Sequence, residues 1–465
     1  MDANLTWIKN EFSQIDCNDL RLNQRFMMVA QSMMESPGES IHQAMGDWKR
    51  SKGAYRLFDN DKVSRQEILS IHAKNTLGRV NDTGQEEIIL SIQDSSTINY
   101  THHPKKEGLK KLHQQEGFKK CLKGFHLHNT FLMTEDGLPL GLLQQEVFQN
   151  DAAVINHKRR PIEDKKSYHW LMGLQAVSAI RDRTVITICD READIYEFLM
   201  EAKKLEQYYV IRSSTDRKLV IENEKLRSFM AKQSIISEIE INIPGNGLRK
   251  TRKAILEIRY AKVSLKPPQR APEAKKAPLV PLEVNAILAT EKNPSPGIEA
   301  LDWMLLSNYP VNDFSQAVKC LRWYKSRWNI EEFHKILKSG CNIEDCQLQT
   351  FERVNKYIAL MSVIAFRLFY ITLVNRVTPE ESCTIFLKEH EWQSLCLATK
   401  KEVPAKPPLV REAVRMIGQL GGFLARKSDG EPGITVIWRG WEKLQIISDF
   451  FLATLSNNVA EKRCG

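Results

Sequence analysis

Two aspartates of this 465-residue chain follow apolar, β-prone runs: Asp94 closes EEIILSIQD, and Asp190 comes directly after TVITIC. Ligands of an α/β sheet gather at the carboxyl ends of strands, so the two can converge although they are far apart in the chain. Two ionised carboxylates held together repel, which calls for a cation or a raised pKa. Mg²⁺ is the hard partner that suits such oxygens while keeping room for water and phosphate. A third carboxylate would allow a pair of metals about 3.5–4 Å apart, able to activate a nucleophile and steady a leaving oxygen in displacement at phosphorus. Glu331 is the candidate. Each acid also has a plainer reading: Asp190 can cap a helix beginning near Ala193, and Asp94 can open a turn at DSS.

Glu331 lies in YKSRWNIEEFHKILKSG, residues 324–340, which reads as one amphipathic helix. At about 100° per residue, Tyr324, Arg327, Glu331 and Lys338 share an arc of about 60°, with Lys335 almost in line with Tyr324. Ile330, Phe333, Ile336 and Leu337 form the opposite, apolar stripe. Taken alone, the helix needs only a solvated polar face, with Glu331 and Lys335 as an ordinary i,i+4 pair. If Glu331 joins the aspartates, the same face sets cations beside a metal ligand, where they would meet phosphate charge.

The elements that must position these residues follow from the pattern. Residues 1 to about 70 read as helical, with Arg21 and Arg25 one turn apart on NDLRLNQRFMMVAQSMM and Leu22, Phe26 and Val29 as its apolar stripe. From about residue 85 strands take over: EEIILSIQD, then HNTFLMTEDGLPLGLLQQEVF as a hairpin turning at EDG, with the basic stretch THHPKKEGLKKLHQQEGFKKCLKGFH between them. A helix around KKSYHWLMGLQAVSAI, the strand TVITIC, a helix after Asp190 and the strand QYYVIRS alternate as in an α/β core. Residues from about 235 to 300 break the alternation with an antiparallel β meander carrying the loop KPPQRAPEAKKAPLVP. Beyond about 375 the chain turns helical again, through KKEVPAKPP to WEKLQIISDFFLATL.

Charge and cysteine usage narrow the setting. A net charge of +10 and a pI near 9.0 point to an anionic partner, whether nucleic acid, a membrane surface or phosphorylated ligands. Nine cysteines form no CxxC pair, and the nearest two, Cys341 and Cys346, have no histidines to complete a zinc site. Reduced, buried thiols are expected. MDANLTWIKN lacks the pattern of a secretory leader, and no stretch approaches about 18 apolar residues, so a soluble, cytoplasmic protein without membrane contact is expected.

CDREADIYEFL, together with the spacing of Tyr324, Arg327, Glu331 and Lys338, closely resembles the signature of DDE transposases of insertion-sequence family four, of the transposon-five type. KGAYRLFDN, LDWMLLS and GGFLARK…WRGWEKLQ extend the resemblance along nearly the whole chain. It implies an RNase H-like α/β catalytic domain over 71–370 with a β insertion, a helical domain over 1–70 that binds transposon ends, and a helical dimerisation domain over 371–465. Asp94, Asp190 and Glu331 take the places of the catalytic, metal-binding triad, for Mg²⁺ or Mn²⁺ at two ions per site. Tyr324, Arg327 and Lys338 match positions that grip DNA phosphate, Arg212 in VIRSS matches a DNA-contacting arginine, and Lys335 fits a further phosphate contact. Trp303 in LDWMLLS matches a tryptophan on which a flipped base stacks, although without the resemblance it reads as a core residue. The implied protein is a bacterial cut-and-paste transposase that acts as a homodimer on terminal inverted repeats and target DNA, through strand cleavage, hairpin formation and strand transfer. A DNA-binding protein that keeps the fold without transposing, and an RNase H-type nuclease on hybrids, are the alternatives. The second leaves Trp303 and the flanking helical domains unexplained.

Overall fold

The computed structural model describes residues 3–112, 122–149, 161–221, 224–243, 252–268, 279–426 and 429–464. Much of the basic stretch at 101–126 and of the Pro/Lys-rich loop at 266–281 lies outside these residues. Five helices open the chain: α1 (Ala3–Phe12), α2 (Leu20–Glu35), α3 (Ile41–Met45), α4 (Trp48–Asp59) and α5 (Arg65–Asn81). Side-chain caps start most of them, Asp19 for α2, Ser40 for α3, Asp47 for α4 and Ser64 for α5, each accepting from backbone N–H groups that a helix start leaves unpaired. Leu22, Phe26 and Val29 of α2 are buried as its apolar stripe requires.

The strands are β1 (Ile89–Asn99), β2 (Lys110–Lys111), β3 (Lys123–Thr134), β4 (Pro139–Phe148), β5 (Val185–Cys189), β6 (Tyr208–Arg212), β7 (Ser237–Ile243), β8 (Arg252–Leu265), β9 (Leu282–Glu291) and β10 (Asp302–Ser307). They join one sheet in the order β2-β3-β1-β5-β6-β10-β9-β8-β7, with β4 on the other part of β3. β1, β3 and β4 are antiparallel, whereas β5 and β6 run parallel to β1, which is the mixed pattern of an RNase H-like core. The meander is antiparallel as expected, and its hydrogen bonding is continuous with the core sheet, because β10 pairs with both β6 and β9.

β5 is buried along its whole length, as a parallel strand covered on both faces must be. One cover is α6 (Tyr168–Val177), which approaches β1 closely at Gly173: a Cβ there would lie 2.4 Å from Gln93 Oε1. After β5 come α7 (Tyr196–Lys204) and α8 (Leu226–Lys232), and after β10 come α9 (Phe314–Lys325) and α10 (Trp328–Lys335). Then α11 (Phe351–Val377) runs through the centre of the molecule, followed by α12 (Glu389–Ala398), α13 (Val410–Leu420) and α14 (Ile434–Cys464).

Helix α11 corrects the expectation that no stretch has the length and apolarity to span a bilayer. An 18-residue window in it reaches a mean hydropathy of 2.0, yet almost all of that window is buried against protein. A helix apolar on every side belongs in a core, and its hydroxyls are satisfied internally, Ser362 and Thr372 donating to the carbonyls of Ile358 and Leu368. Near the limits expected at 70 and 370, α5 continues to Asn81 and packs on β4, and α11 runs from Phe351 to Val377. Among the described residues, seven cysteines are free and buried.

Candidate active site

The register of β1 and β5 sets the first two acids. Ile92 lies level with Ile188, and two residues beyond each of them Asp94 and Asp190 come near enough for the Asp190 charge to act on Asp94. Asp94 is within β1, opposite Asn129 of β3, rather than at a strand end. Asp190 follows β5 and also caps a short 3₁₀ turn, accepting from the Glu192 N–H at 2.8 Å. Its two readings are therefore compatible.

Glu331 enters on α10. The segment 324–340 is not the single uniform helix expected: α9 ends at Lys325, and i→i+3 bonds tighten the turn, from Arg327 N to Tyr324 O and from Ile330 N to Arg327 O. A π-helical turn closes the far end, with Cys341 N donating to Ile336 O. Tightening advances the helical phase, so the simple wheel fails past this point. Lys335 borders a recess with Glu332, Arg376 and Glu431, and the i,i+4 partner of Glu331 is Arg327, not Lys335. Ile330, Phe333, Ile336 and Leu337 are buried as the stripe predicts.

Arg327 ties the acids together. Its Nη2 donates to Glu331 Oε1 at 2.7 Å, and its Nη1 lies 3.7 Å from Asp94 Oδ2. Burial pushes the Asp94 carboxyl up to about 7, helped by the charge of Asp190 and opposed by Arg327 and the Ser95 N–H. Burial also raises Asp190, against the hydrogen bond from Glu192. Desolvation works against the Arg327 charge, but Glu331, Tyr324 and Asp94 outweigh it and hold the guanidinium firmly protonated.

A continuous line of side chains leads away from these acids. Tyr324 is buried against Arg327, and Trp303, partly buried on β10, meets the Tyr324 ring edge-to-face at 5.7 Å. Arg212, the last residue of β6, donates to the carbonyl of Asp302, next to Trp303, at 2.8 Å. On the other side Lys338 sits 3.7 Å from Glu344, whose carboxylate accepts from the N–H of Asn99 at the end of β1. Arg21, exposed, and Arg25, beside Gly53 of α4, belong to the N-terminal helices and not to this line.

Sequence reasoning missed the supports. Asn129 donates from Nδ2 to His334 Nε2 at 2.8 Å and accepts from Gln145 Nε2, which also donates to Ser362 of α11. This buried relay fastens α10, one turn from Glu331, to the strand opposite Asp94. Burial lowers His334 to about 3, with Lys338 and Arg327 adding to the effect, so its imidazole is neutral and accepts. Lys166 was missed too; it pairs with Glu192 at 2.7 Å beside Asp190. The partners in the relay are far apart in sequence, and only the EEFHK string hinted at His334.

Three family models match in succession: a transposase DNA-binding model over residues 4–63, a transposase DDE-domain model over 164–367, and a transposase Tn5 dimerisation-domain model over 363–455. The chain is a DDE transposase of the transposon-five type. The DDE match contains Asp190 and Glu331, whereas Asp94 lies outside all three matches and joins them through the sheet register. Among solved structures, the transposase is similar to a piggyBac transposase synaptic complex with hairpin DNA, at 9% identity and a TM-score of 0.34 over 91% of this chain and 72% of that one.

The family implies dependence on divalent metal. Hard carboxylate oxygens with surplus negative charge suit Mg²⁺ or Mn²⁺ in kind. Among the described residues no three His, Cys, Asp or Glu side chains form a ready-made ligand cluster, and the Arg327 guanidinium lies between Asp94 and Glu331.

Proposed function

We propose that this transposase works by cut and paste on the terminal inverted repeats of a bacterial insertion sequence, with Asp94, Asp190 and Glu331 as its catalytic carboxylates. The observation that carries the reading is Arg327 in reach of both Asp94 and Glu331, with Asp190 near enough for its charge to act on Asp94. The three acids would hold divalent metal, two ions per site, which when bound supplies Lewis acidity to the attacking and leaving oxygens.

The chain's own residues account for the rest. Arg327 and Lys338 supply positive charge on either side of Glu331, where the non-bridging oxygens of a reacting phosphate carry negative charge. The Tyr324 hydroxyl, packed beside Arg327, fits the same phosphate, and Arg212 and Lys335 extend the cationic track. Trp303 is only partly buried and would offer a face for an unstacked base, a contact worth about 1–3 kcal/mol in single-strand binders. Water first cleaves a P–O bond and frees a 3′-hydroxyl. That hydroxyl attacks the opposite strand to give a hairpin, water reopens it, and the 3′-hydroxyl then attacks target DNA. Each step exchanges one P–O bond for another and leaves no covalent link to protein.

Arg21 and Arg25 lie in the segment matched by the DNA-binding model and would contact transposon ends. Ile446 and Phe450 of α14, 68% and 76% exposed, lie in the dimerisation match and fit a second copy of this chain in the synaptic complex. Such an enzyme would work in the cytoplasm, on the nucleoid. The test is cleavage of DNA carrying the inverted repeats that flank the reading frame, in Mg²⁺ or Mn²⁺, by wild type and Glu331→Ala. Wild type should cut and the variant should bind without cutting. Equal cleavage overturns the role of Glu331, and binding without cleavage by wild type favours the non-transposing alternative.

A further inference from the structure

Arg327 stands between two acids rather than beside one, spanning Glu331 and Asp94 with separate nitrogens. Its side chain is only 11% exposed and lies over the ring of Trp328, 5.2 Å from the centroid. Its Nε is buried and has no hydrogen-bond partner among the described residues. The guanidinium thus fills the gap where a cation would otherwise balance these carboxylates, and it does so with one donor unspent.

We propose that Arg327 is the counter-ion that closes the free site, and that DNA phosphate, by drawing the guanidinium off Glu331 and Asp94, opens the carboxylates to divalent metal. The inference rests on reading the three acids as metal ligands. A dication approaching Asp94 and Glu331 with Arg327 in place meets a like charge a few ångströms away, and must replace a bond already made. Phosphate offers the guanidinium a matched pair of acceptors and a use for Nε. Trp328 is half exposed, so the stacked guanidinium lies at the edge of the fold with solvent within reach. Metal uptake and DNA capture then reinforce each other by the same factor in both directions. The free protein stays unloaded in a cell full of Mg²⁺, and cutting is confined to DNA already held.

The test is Mn²⁺ binding to the full chain, read by calorimetry and by the electron paramagnetic resonance of free Mn²⁺. Without DNA, Arg327→Gln should bind Mn²⁺ at least tenfold more tightly than wild type. Adding a duplex that carries the flanking inverted repeats should tighten Mn²⁺ binding to wild type at least tenfold, and to the variant by clearly less. Arg327→Lys keeps the charge but cannot span both acids, and should fall between the two. It decides the matter if Arg327→Gln does not fold. Equal DNA-free affinities for wild type and the variants overturn the proposal. A separate arm isolates the underlying reading: if Glu331→Gln, bound to the duplex, takes up Mn²⁺ as well as wild type does, the assignment of the ligands fails instead.

Discussion

Glu11, where the N-terminal helices meet the sheet, and Asp94, in the middle of β1, are both carboxylates withdrawn from water beside an arginine. Burial alone would raise both. At Glu11 the raise is outweighed, because His72 Nδ1 lies 2.5 Å from one oxygen and Arg79 Nη1 lies 3.0 Å from the other, and the carboxyl falls to about 2. At Asp94 the nearest guanidinium is 3.7 Å away and shared with Glu331, Asp190 adds repulsion, and the carboxyl climbs to about 7. The ingredients are alike, and the difference is whether the surroundings complete the charge. A completed set serves as scaffold, whereas one shared guanidinium leaves the acids around Asp94 only partly compensated.

The largest expected effect separates the two regions by activity. Asp190→Asn keeps an acceptor for the Glu192 N–H but removes the charge. DNA cleavage should fall at least about a thousandfold, roughly 4 kcal/mol in the barrier, with the melting temperature unchanged or raised. Cleavage at the wild-type rate would reduce Asp190 to a cap. Glu11→Gln should do the reverse, stranding Arg79 and His72 and costing about 3 kcal/mol of stability. Urea unfolding should show that loss while cleavage per folded molecule stays as it was. The sign with pH follows: Glu11 contributes its full stabilisation above its ordinary value of 4.5 and loses it as pH falls toward about 2.

Asp94 should show the opposite slope. Folded Asp94 keeps its proton up to about 7, whereas the unfolded chain releases it near 3.8. Between those values the folded state binds more protons, so metal-free stability falls as pH rises. Asp94→Asn has no such slope, and its melting curve should part from that of wild type across this window. By pH 8 the variant should lead by about 2 kcal/mol, short of the full shift because water reaches part of the side chain. Parallel curves would mean that Asp94 is as well compensated as Glu11, and the contrast between the regions would disappear.

Local pattern carried a good part of this arrangement. β-prone runs ending near Asp94 and Asp190, and one polar helical face with Arg327 and Glu331, were readable because strand and helix periods expose them. The wheel that set Lys335 almost in line with Tyr324 assumed one uniform helix, whereas i→i+3 bonds between Tyr324 and Ile330 shift the phase, and nothing in YKSRWNIEEF announces that tightening. Helix α11 escaped notice because Ser362, Arg367 and Thr372 interrupt its apolar run, although the fold buries all three. The continuity of β7–β9 with the core sheet depends on β10 pairing at both edges, a long-range choice that no local signal fixes.

The same limit hid the relay from Ser362 through Gln145 and Asn129 to His334, and it offers the smallest and sharpest test of the comparison. The relay is a completed polar set like that of Glu11, yet it ends one helical turn from Glu331, on the side of the incomplete set. If completed networks hold incomplete ones in place, His334→Leu, which leaves the Asn129 amide without its acceptor, should let α10 shift on the sheet. Cleavage should then drop about tenfold, roughly 1.4 kcal/mol, with affinity for transposon ends unchanged. His334→Gln retains an acceptor and should recover most of the rate even if it melts as early as the leucine variant. Should both variants lose stability and neither lose rate per folded molecule, the relay is packing alone. The acids would then owe their placement to strand register and to Arg327.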